Sequence, residues 1–156
     1  MTVRPMTADD VERCQGIVRG LPDFFTDDVP ERIGSDLRAH QGWVVAADDD
    51  VVGFAIVDRR SHRVGEILWI AVRADRRRGG LGTELLDHLL HALAADGVRL
   101  FEAKTLDRSV DDAPYEGTRA FWERHGFVQV DTIDPLPGWR PGNPAAIYVC
   151  AVEPTR

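Results

Sequence analysis

The chain has 156 residues, of which 44% are apolar and 29% charged, and its formal net charge at pH 7 is −7. This length and apolar content predict a single domain over residues 1–156 with one hydrophobic core, and the acidic balance argues against a nucleic-acid partner, because phosphate binding needs a basic surface. No apolar run approaches a membrane span and the N-terminus has no apolar signal core, so we expect no membrane partner and a cytoplasmic location.

Hydrophobic periodicity predicts an α/β chain with the element order β-α-α-β-β-β-α-β-α-β-β around a mixed sheet. In chain order, the pattern predicts a strand at 3–5, a helix capped by Thr7 and running to about Gly20, a helix over about 30–39, strands at 43–47 and 51–58, a strand at 66–72, a helix from Leu81 to a stop at Gly97, a strand at 98–105, a helix from Tyr115 to a stop at Gly126, and strands near 127–133 and 145–152. The short acidic turn at 48–50 makes the pair 43–47 and 51–58 an antiparallel hairpin.

A glycine-rich loop separates the apolar strand 66–72 from the amphipathic helix that begins at Leu81. It reads Arg77, Arg78, Gly79, Gly80, Leu81, Gly82, Thr83. A loop at a helix start offers unpaired amides and the positive end of the helix dipole, so it favours anions. It is not a P-loop, because no lysine follows Gly82, and its spacing differs from that of a dinucleotide loop.

Two segments together resemble the GNAT superfamily of N-acetyltransferases. The first is the loop, which fills an Arg-x-x-Gly-x-Gly pattern with Arg77, Gly80 and Gly82, and the second is the helix 115–126 followed by Phe127. The resemblance spans roughly residues 2–152. It implies the GNAT fold, with a mixed central sheet of about seven strands and helices on both faces, and acetyl transfer from acetyl-CoA to a primary amine by direct attack.

The resemblance also implies where acetyl-CoA binds. Loop amides would bind the pyrophosphate, a backbone amide of the preceding strand would polarise the carbonyl, and strand 98–105 would splay from strand 64–72 to admit the pantetheine arm. The implied cofactor-binding residues are Ile70, Ala71, Val72, Arg77, Arg78, Gly79, Gly80, Leu81, Gly82, Thr83, Tyr115 and Trp122.

Glu66 is the candidate general base, because it is the one ionisable residue in an otherwise apolar strand. An alkylamine is almost entirely protonated at pH 7, so a base that takes its proton assists the attack. Period-two alternation places Glu66, Leu68, Ile70 and Val72 on one face up to any bulge. The resemblance implies the same role for this glutamate. The alternative is a strand-end carboxylate that is exposed or paired with Arg63 or Arg99.

The general acid is where this sequence departs from the family pattern. Trp122 occupies the position of a tyrosine that protonates the leaving thiolate in many members, and an indole N–H is a far weaker acid. Either the thiolate leaves unassisted or through water, or Tyr115, earlier on the same helix, takes the role. Cofactor contact and simple packing are the other interpretations of Tyr115.

The acceptor is a small-molecule or peptide amine whose identity the sequence does not encode. Three segments would surround it: Phe24, Phe25, Asp27 and Asp28; Asp107, Asp111 and Asp112; and Trp139, Arg140 and Asn143. Cys14 and Cys150 are far apart and the five histidines are dispersed, so we expect no disulfide and no metal. A homodimer is one possible assembly. A non-catalytic acyl-CoA-binding or sensing domain, a protein-amine acetyltransferase and a purely structural domain are the alternative functions.

Overall fold

The computed structural model describes residues 1–154, and its elements follow the predicted order. The strands are β1 (Thr2–Pro5), β2 (Gln41–Ala47), β3 (Asp50–Arg59), β4 (Val64–Val72), β5 (Leu100–Leu106), β6 (Val128–Ile133) and β7 (Ala145–Ala151). The helices are α1 (Val11–Arg19), α2 (Val29–Ala39), α3 (Leu81–Ala95) and α4 (Ala113–Arg124), with short 3-10 turns at Ala8–Asp10 and Ala74–Arg76. The α/β class and the alternation of elements are therefore confirmed.

Within residues 1–154 the strands form one seven-stranded sheet in the order β1-β2-β3-β4-β5-β7-β6. All neighbouring pairs are antiparallel except β4 and β5, which run parallel because α3 connects them. The β2–β3 hairpin turns at Asp48 and Asp49, both with positive φ (49° and 66°). This two-residue left-handed turn matches the twist of the strands it joins.

Helices cover both faces of the sheet, as expected. On one face the leucines of α3 and Trp122 of α4 pack over the inner strands, forming the larger core. On the other face α1 and α2 cover β2, β3 and β4 through residues such as Cys14, Ile33 and Phe54, all fully buried. The sheet therefore has an α3 face and an α1/α2 face, and each functional side chain can be assigned to one of them.

Several predicted boundaries move by one or two residues, and two of these shifts have a local cause. The strand expected at 98–105 begins at Leu100, because Val98 still closes the end of α3 through its amide to the Leu93 carbonyl (2.9 Å). The helix expected from Tyr115 begins at Ala113, after Asp112 and with Pro114 in its first turn, a position that proline favours.

The N-terminal segment is fixed by a buried ion pair. Asp10 is 2% exposed, and it accepts bonds from both Arg4 Nη atoms (2.8 and 2.9 Å) and from the Thr7 amide (2.8 Å). The Arg4 hydrogen bond is the largest cause that lowers the pKa of Asp10 to about 2. Thr7 thus starts the helical segment as predicted, through a capping box with Asp10.

No helix in the described part of the chain is both long enough and apolar enough to cross a bilayer.

Candidate active site

The glycine-rich loop is exposed throughout residues 74–80, directly after β4. Arg78 and Gly80 both have left-handed backbones (φ 65° and 81°), and Gly80 caps α3. The first helical bond of α3 runs from the Glu84 amide to the Gly80 carbonyl (3.0 Å). The amides of residues 81–83 precede that bond, so they lie at the positive end of the helix without helical partners. The loop is therefore built as an anion site.

The start of α3 packs closely against α4. A Cβ built on Gly82 would lie 3.4 Å from the Phe121 ring, and Thr83 Oγ1 lies 3.1 Å from His125 Nε2. The Thr83 hydroxyl is thus engaged by α4, which leaves the Thr83 amide as the group available to an anion. Gly82 keeps the two helices in contact.

The arginines beside the loop have different surroundings. Arg73 is paired with Asp50 (2.5 Å) and Asp75 (2.6 Å), and these carboxylates raise its pKa. The positive charge of Arg73 is therefore balanced by these two carboxylates at the surface. Arg77 lies over the Phe24 ring at 4.7 Å in a cation–π contact. The loop thereby touches the segment between α1 and α2.

The parallel strands β4 and β5 separate beside this loop. They are paired from Val64 opposite Leu100 to Ile67 opposite Ala103, and there the pairing stops. Strand β5 stays paired with β7 as far as Leu106, while β4 continues to Val72 along β3. The predicted splay is confirmed by this register, and the second half of β4 has an open edge.

A bulge at Leu68 decides which groups face the gap. Register with β3 passes from Ile67 opposite Val57 to Trp69 opposite Ile56, so β4 contains one extra residue there. Ile67, Ile70 and Val72 contact the larger core, whereas Leu68 and Trp69 contact the α1/α2 core. The predicted alternation, which was expected to hold up to any bulge, therefore ends here, and Glu66 lies on the opposite face from Ile70 and Val72.

Backbone directions in β4 follow from the same register. The Arg73 amide donates to the Val52 carbonyl of β3 (2.8 Å). Because amide directions alternate along a strand, the Ala71 amide also points to β3. The intervening amides of Ile70 and Val72 point the other way, into the gap. The Ala71 carbonyl lies 3.2 Å from a Cβ built on Gly53 of β3, in keeping with this. Of the three expected backbone contacts, the Ala71 amide therefore points towards β3, and the Ile70 and Val72 amides point into the gap.

Glu66 lies on the α1/α2 face beside the point where the strands separate. Its side chain is 5% exposed, and Oε1 accepts a bond from Lys104 Nζ at 2.6 Å. The Arg60 guanidinium lies 3.9 Å from the same oxygen. The alternative interpretation, in which Glu66 is exposed or paired with Arg63 or Arg99, does not describe this site. Arg63 donates to the Gly97 carbonyl, and Arg99 donates to the carbonyls of Ala94 and Val98.

Lys104 is the residue that sequence reasoning missed. It follows Ala103, the last β5 residue paired with β4, and it faces the same side as Glu66 because Glu66 and Glu102 are register partners. The sequence offered one indication of this position, because Lys104 is a charged residue between Ala103 and Thr105, which are both buried in β5.

Tyr115 contacts the α1–α2 segment. Its hydroxyl donates to the Phe24 carbonyl at 2.8 Å, the two rings lie 5.7 Å apart edge to face, and burial raises the pKa of the phenol. Phe24 thus lies between Arg77 and Tyr115. A hydroxyl held by a carbonyl must break that bond before it can protonate another group.

Trp122 is 4% exposed and packs in the larger core, 4.9 Å from Phe127. This placement fits a residue of the core, rather than a residue that is exposed along the gap.

One of the three predicted acceptor segments, the connection between α1 and α2, contacts the sheet. Asp28 has a lowered pKa, first through the Thr26 hydroxyl and in part through the positive charge of Arg140. Phe25 lies 5.8 Å from Trp69 of β4, which ties this segment to the sheet.

Asp107, which the sequence places among the residues around the acceptor, is held by hydrogen bonds within the fold. Its carboxylate accepts bonds from the Ser109 amide (3.0 Å), Gln129 Nε2 (2.8 Å) and Thr132 Oγ1 (3.2 Å). Burial alone would raise the pKa of Asp107, but these bonds outweigh it and lower the pKa to about 2. Asp107 fastens the end of β5 to β6.

Among residues 1–154, no group of three or more His, Cys, Asp or Glu side chains is arranged to hold a metal ion.

Comparisons with known proteins point to one family. The model of the Acetyltransferase (GNAT) family matches residues 11–127. Histone acetyltransferase GCN5 of Oryza sativa subsp. japonica is 30% identical over 125 residues, which are 74% of this chain and 22% of that protein. The chain therefore spans about a fifth of that relative's length.

Solved structures share the fold across nearly the whole chain. One from Desulfovibrio desulfuricans, described as a GNAT-family acetyltransferase, has a TM-score of 0.84 at 24% identity and covers 96% of this chain and 98% of its own. A GNAT acetyltransferase from Elizabethkingia anophelis with acetyl-CoA bound has a TM-score of 0.71 at 17% identity and covers 97% of both chains. At these identities the likeness is one of fold.

Proposed function

Because the chain belongs to the acetyltransferase (GNAT) family, we propose that it moves the acetyl group of acetyl-CoA to a primary amine by direct attack, with Glu66 as the base. One observation carries the proposal. The separation of β4 from β5 after Ile67 and Ala103 lies between the exposed anion loop and the buried Glu66 carboxylate. The loop that would bind phosphate, the gap that would hold the arm of the cofactor and the carboxylate that would accept a proton are thus arranged in sequence along β4.

The residues present fit acetyl-CoA. The loop amides of residues 79–83 and the α3 dipole suit a pyrophosphate, and Arg77 and Arg78 add positive charge at an exposed edge. The open edge of β4 offers the Ile70 and Val72 amides to the arm of the cofactor. When bound, acetyl-CoA supplies a thioester with an electrophilic carbonyl carbon.

Each step can be assigned to a group of this chain. An ammonium acceptor gives a proton to Glu66, directly or through water, and the free amine then forms the C–N bond as the C–S bond breaks. The second proton that the nitrogen loses passes, directly or through water, to the departing thiolate. The Ile70 amide stabilises the charge that develops on the carbonyl oxygen. A thiol on the cysteine scale has a pKa near 8.5, so the thiolate can leave without a protein acid. Trp122 cannot supply that proton, and Tyr115 could do so only by releasing Phe24.

Thiol release from acetyl-CoA tests the proposal, using a panel of small amines, aminoglycosides and peptides. We expect Glu66→Gln to lower kcat by roughly 100-fold or more, the usual range for removing a general base. Its Kd for acetyl-CoA should stay within about twofold of the wild type, because Glu66 is remote from the phosphate loop. Glu102→Gln, a carboxylate on the same face one strand away, is the matched control and should keep its activity.

Two outcomes separate the alternatives. Unchanged turnover in Glu66→Gln would remove Glu66 as the base. Binding of acetyl-CoA without thiol release for any amine would favour a non-catalytic acyl-CoA-binding or sensing domain.

A protein amine is the second candidate acceptor, supported by the match to a histone acetyltransferase over 74% of this chain. Peptides with a lysine or a free N-terminus in the panel test it against small amines. The single domain over residues 1–156, the homodimer and the cytoplasmic location stay predictions.

A further inference from the structure

We infer that Lys104 is a positioning residue that holds the Glu66 carboxylate in place beside the gap. The inference rests on the proposed function for its catalytic meaning, and on the geometry of the β4–β5 junction for its physical basis.

The backbone of Lys104 is fixed where the strands part. It is the first β5 residue beyond the register pair of Ile67 with Ala103, yet it remains paired with Ile147 of β7. Its side chain is therefore held at the edge of the gap by a strand that does not move away with β4. Lys104 is 25% exposed and Glu66 5%, so the ammonium lies between solvent and the carboxylate.

Lys104 makes the short contact in a larger set of charges. Its Nζ lies 2.6 Å from Glu66 Oε1 and 3.5 Å from Glu102 Oε1. Arg60 is farther from Glu66, at 3.9 Å, and is shared with Asp58, the β3 register partner of Glu66. Other charged groups on this face include His40, 3.7 Å from Asp58, Asp36 of α2, which accepts a bond from Trp69 Nε1, and Arg32 of α2, whose guanidinium lies 6.0 Å from the Trp69 ring.

The contact has a consequence for a base. A carboxylate that is buried without a partner favours its protonated form, in which it cannot accept a proton. A hydrogen-bonded ammonium reverses that preference. Both cationic contacts of Glu66 within residues 1–154 fall on Oε1, so Oε2 is the oxygen available to an acceptor or a bridging water.

Activity measurements on Lys104→Met test the catalytic role, with Lys104→Arg as the conservative variant. We expect Lys104→Met to lower kcat near pH 7 by roughly tenfold or more, to leave KM for acetyl-CoA unchanged, and to move the acid limb of the pH profile upward by about one unit or more. Lys104→Arg should restore most of the rate. An unmoved acid limb, or an arginine variant as slow as the methionine variant, would overturn the role.

Thermal unfolding tests the same inference without turnover. Lys104→Met should unfold roughly 5 °C below the wild type at pH 8, because a buried carboxylate loses its hydrogen-bonded cation and keeps only the more distant contact with Arg60. The deficit should shrink at pH 5, where a buried carboxylate with a weakened partner is more readily protonated. In a Glu66→Gln background the same substitution should cost much less, whereas a Glu102→Gln background should retain the deficit. A deficit independent of pH and of Glu66 would overturn the inference, even if no amine were acetylated.

Discussion

Replacing Gly80 with alanine tests the geometry of the anion loop. Gly80 has a φ of 81° and caps α3, and a Cβ built there meets no heavy atom within 4 Å. The cost of the substitution is therefore backbone strain alone, about 1–2 kcal/mol for an L residue in the left-handed region. For a chain of this size that predicts a fall in Tm of about 2–8 °C.

Gly79→Ala is the matched control, one residue away. Gly79 is outside the left-handed region, and its added Cβ would lie 3.6 Å from the Arg76 carbonyl oxygen, an ordinary contact. We expect its Tm to stay within about 1 °C of the wild type. Differential scanning fluorimetry measures both variants, alone and with millimolar acetyl-CoA. The ligand should raise the Tm of Gly79→Ala as in the wild type and that of Gly80→Ala by less, since strain moves the cap.

The contrary result is a Gly80→Ala variant as stable as the wild type, or a Gly79→Ala variant whose Tm falls as far as that of Gly80→Ala. Either result would mean that the left-handed cap does not determine the shape of the loop.

Two further predictions concern the ion pair of Asp10 with Arg4 and the hydroxyl of Tyr115. Asp10→Asn should lose about 2 kcal/mol of unfolding free energy at pH 7. The pKa of Asp10 in the folded protein is lowered to about 2. The ion pair therefore contributes its full stability above about pH 4, and this stability is lost as the pH falls through the pKa of the folded protein. Urea unfolding from pH 7 to pH 2 should therefore show the difference from the wild type shrinking below about pH 4, and a constant difference would contradict the ion pair. Tyr115→Phe should lower kcat by less than about tenfold, because the hydroxyl is bonded to the Phe24 carbonyl; a loss of roughly 100-fold or more in steady-state assays would assign it the role of acid.

The order of elements and the loop were readable from the sequence because both depend on local patterns. The leucines of α3 repeat at the helical period, and Gly80 with Gly82 marks the turn that feeds it. Glu66 was recognisable for the same reason, as a charge in an apolar strand. These features need no knowledge of which strands are neighbours.

Features that depend on strand register could not be predicted. The bulge at Leu68 is one extra residue within a run of consecutive apolar residues. Because apolar residues in this run point to both faces of the sheet, the sequence shows no polar–apolar alternation that the extra residue could interrupt. Lys104 reaches Glu66 only because β4 and β5 are adjacent and in parallel register, with α3 between them in sequence. The contact of Arg77 with Phe24 likewise joins segments that are distant along the chain.

Backbone amide chemical shifts during an acetyl-CoA titration test the central claim most directly. In ¹⁵N-labelled protein, we expect the largest changes at the amides of residues 79–83 and at Ile70 and Val72, the groups that face the loop and the gap. Desulfo-CoA should reproduce the loop changes, because it carries the same pyrophosphate. Saturable binding that leaves these amides unchanged, or no binding at millimolar acetyl-CoA, would contradict the account.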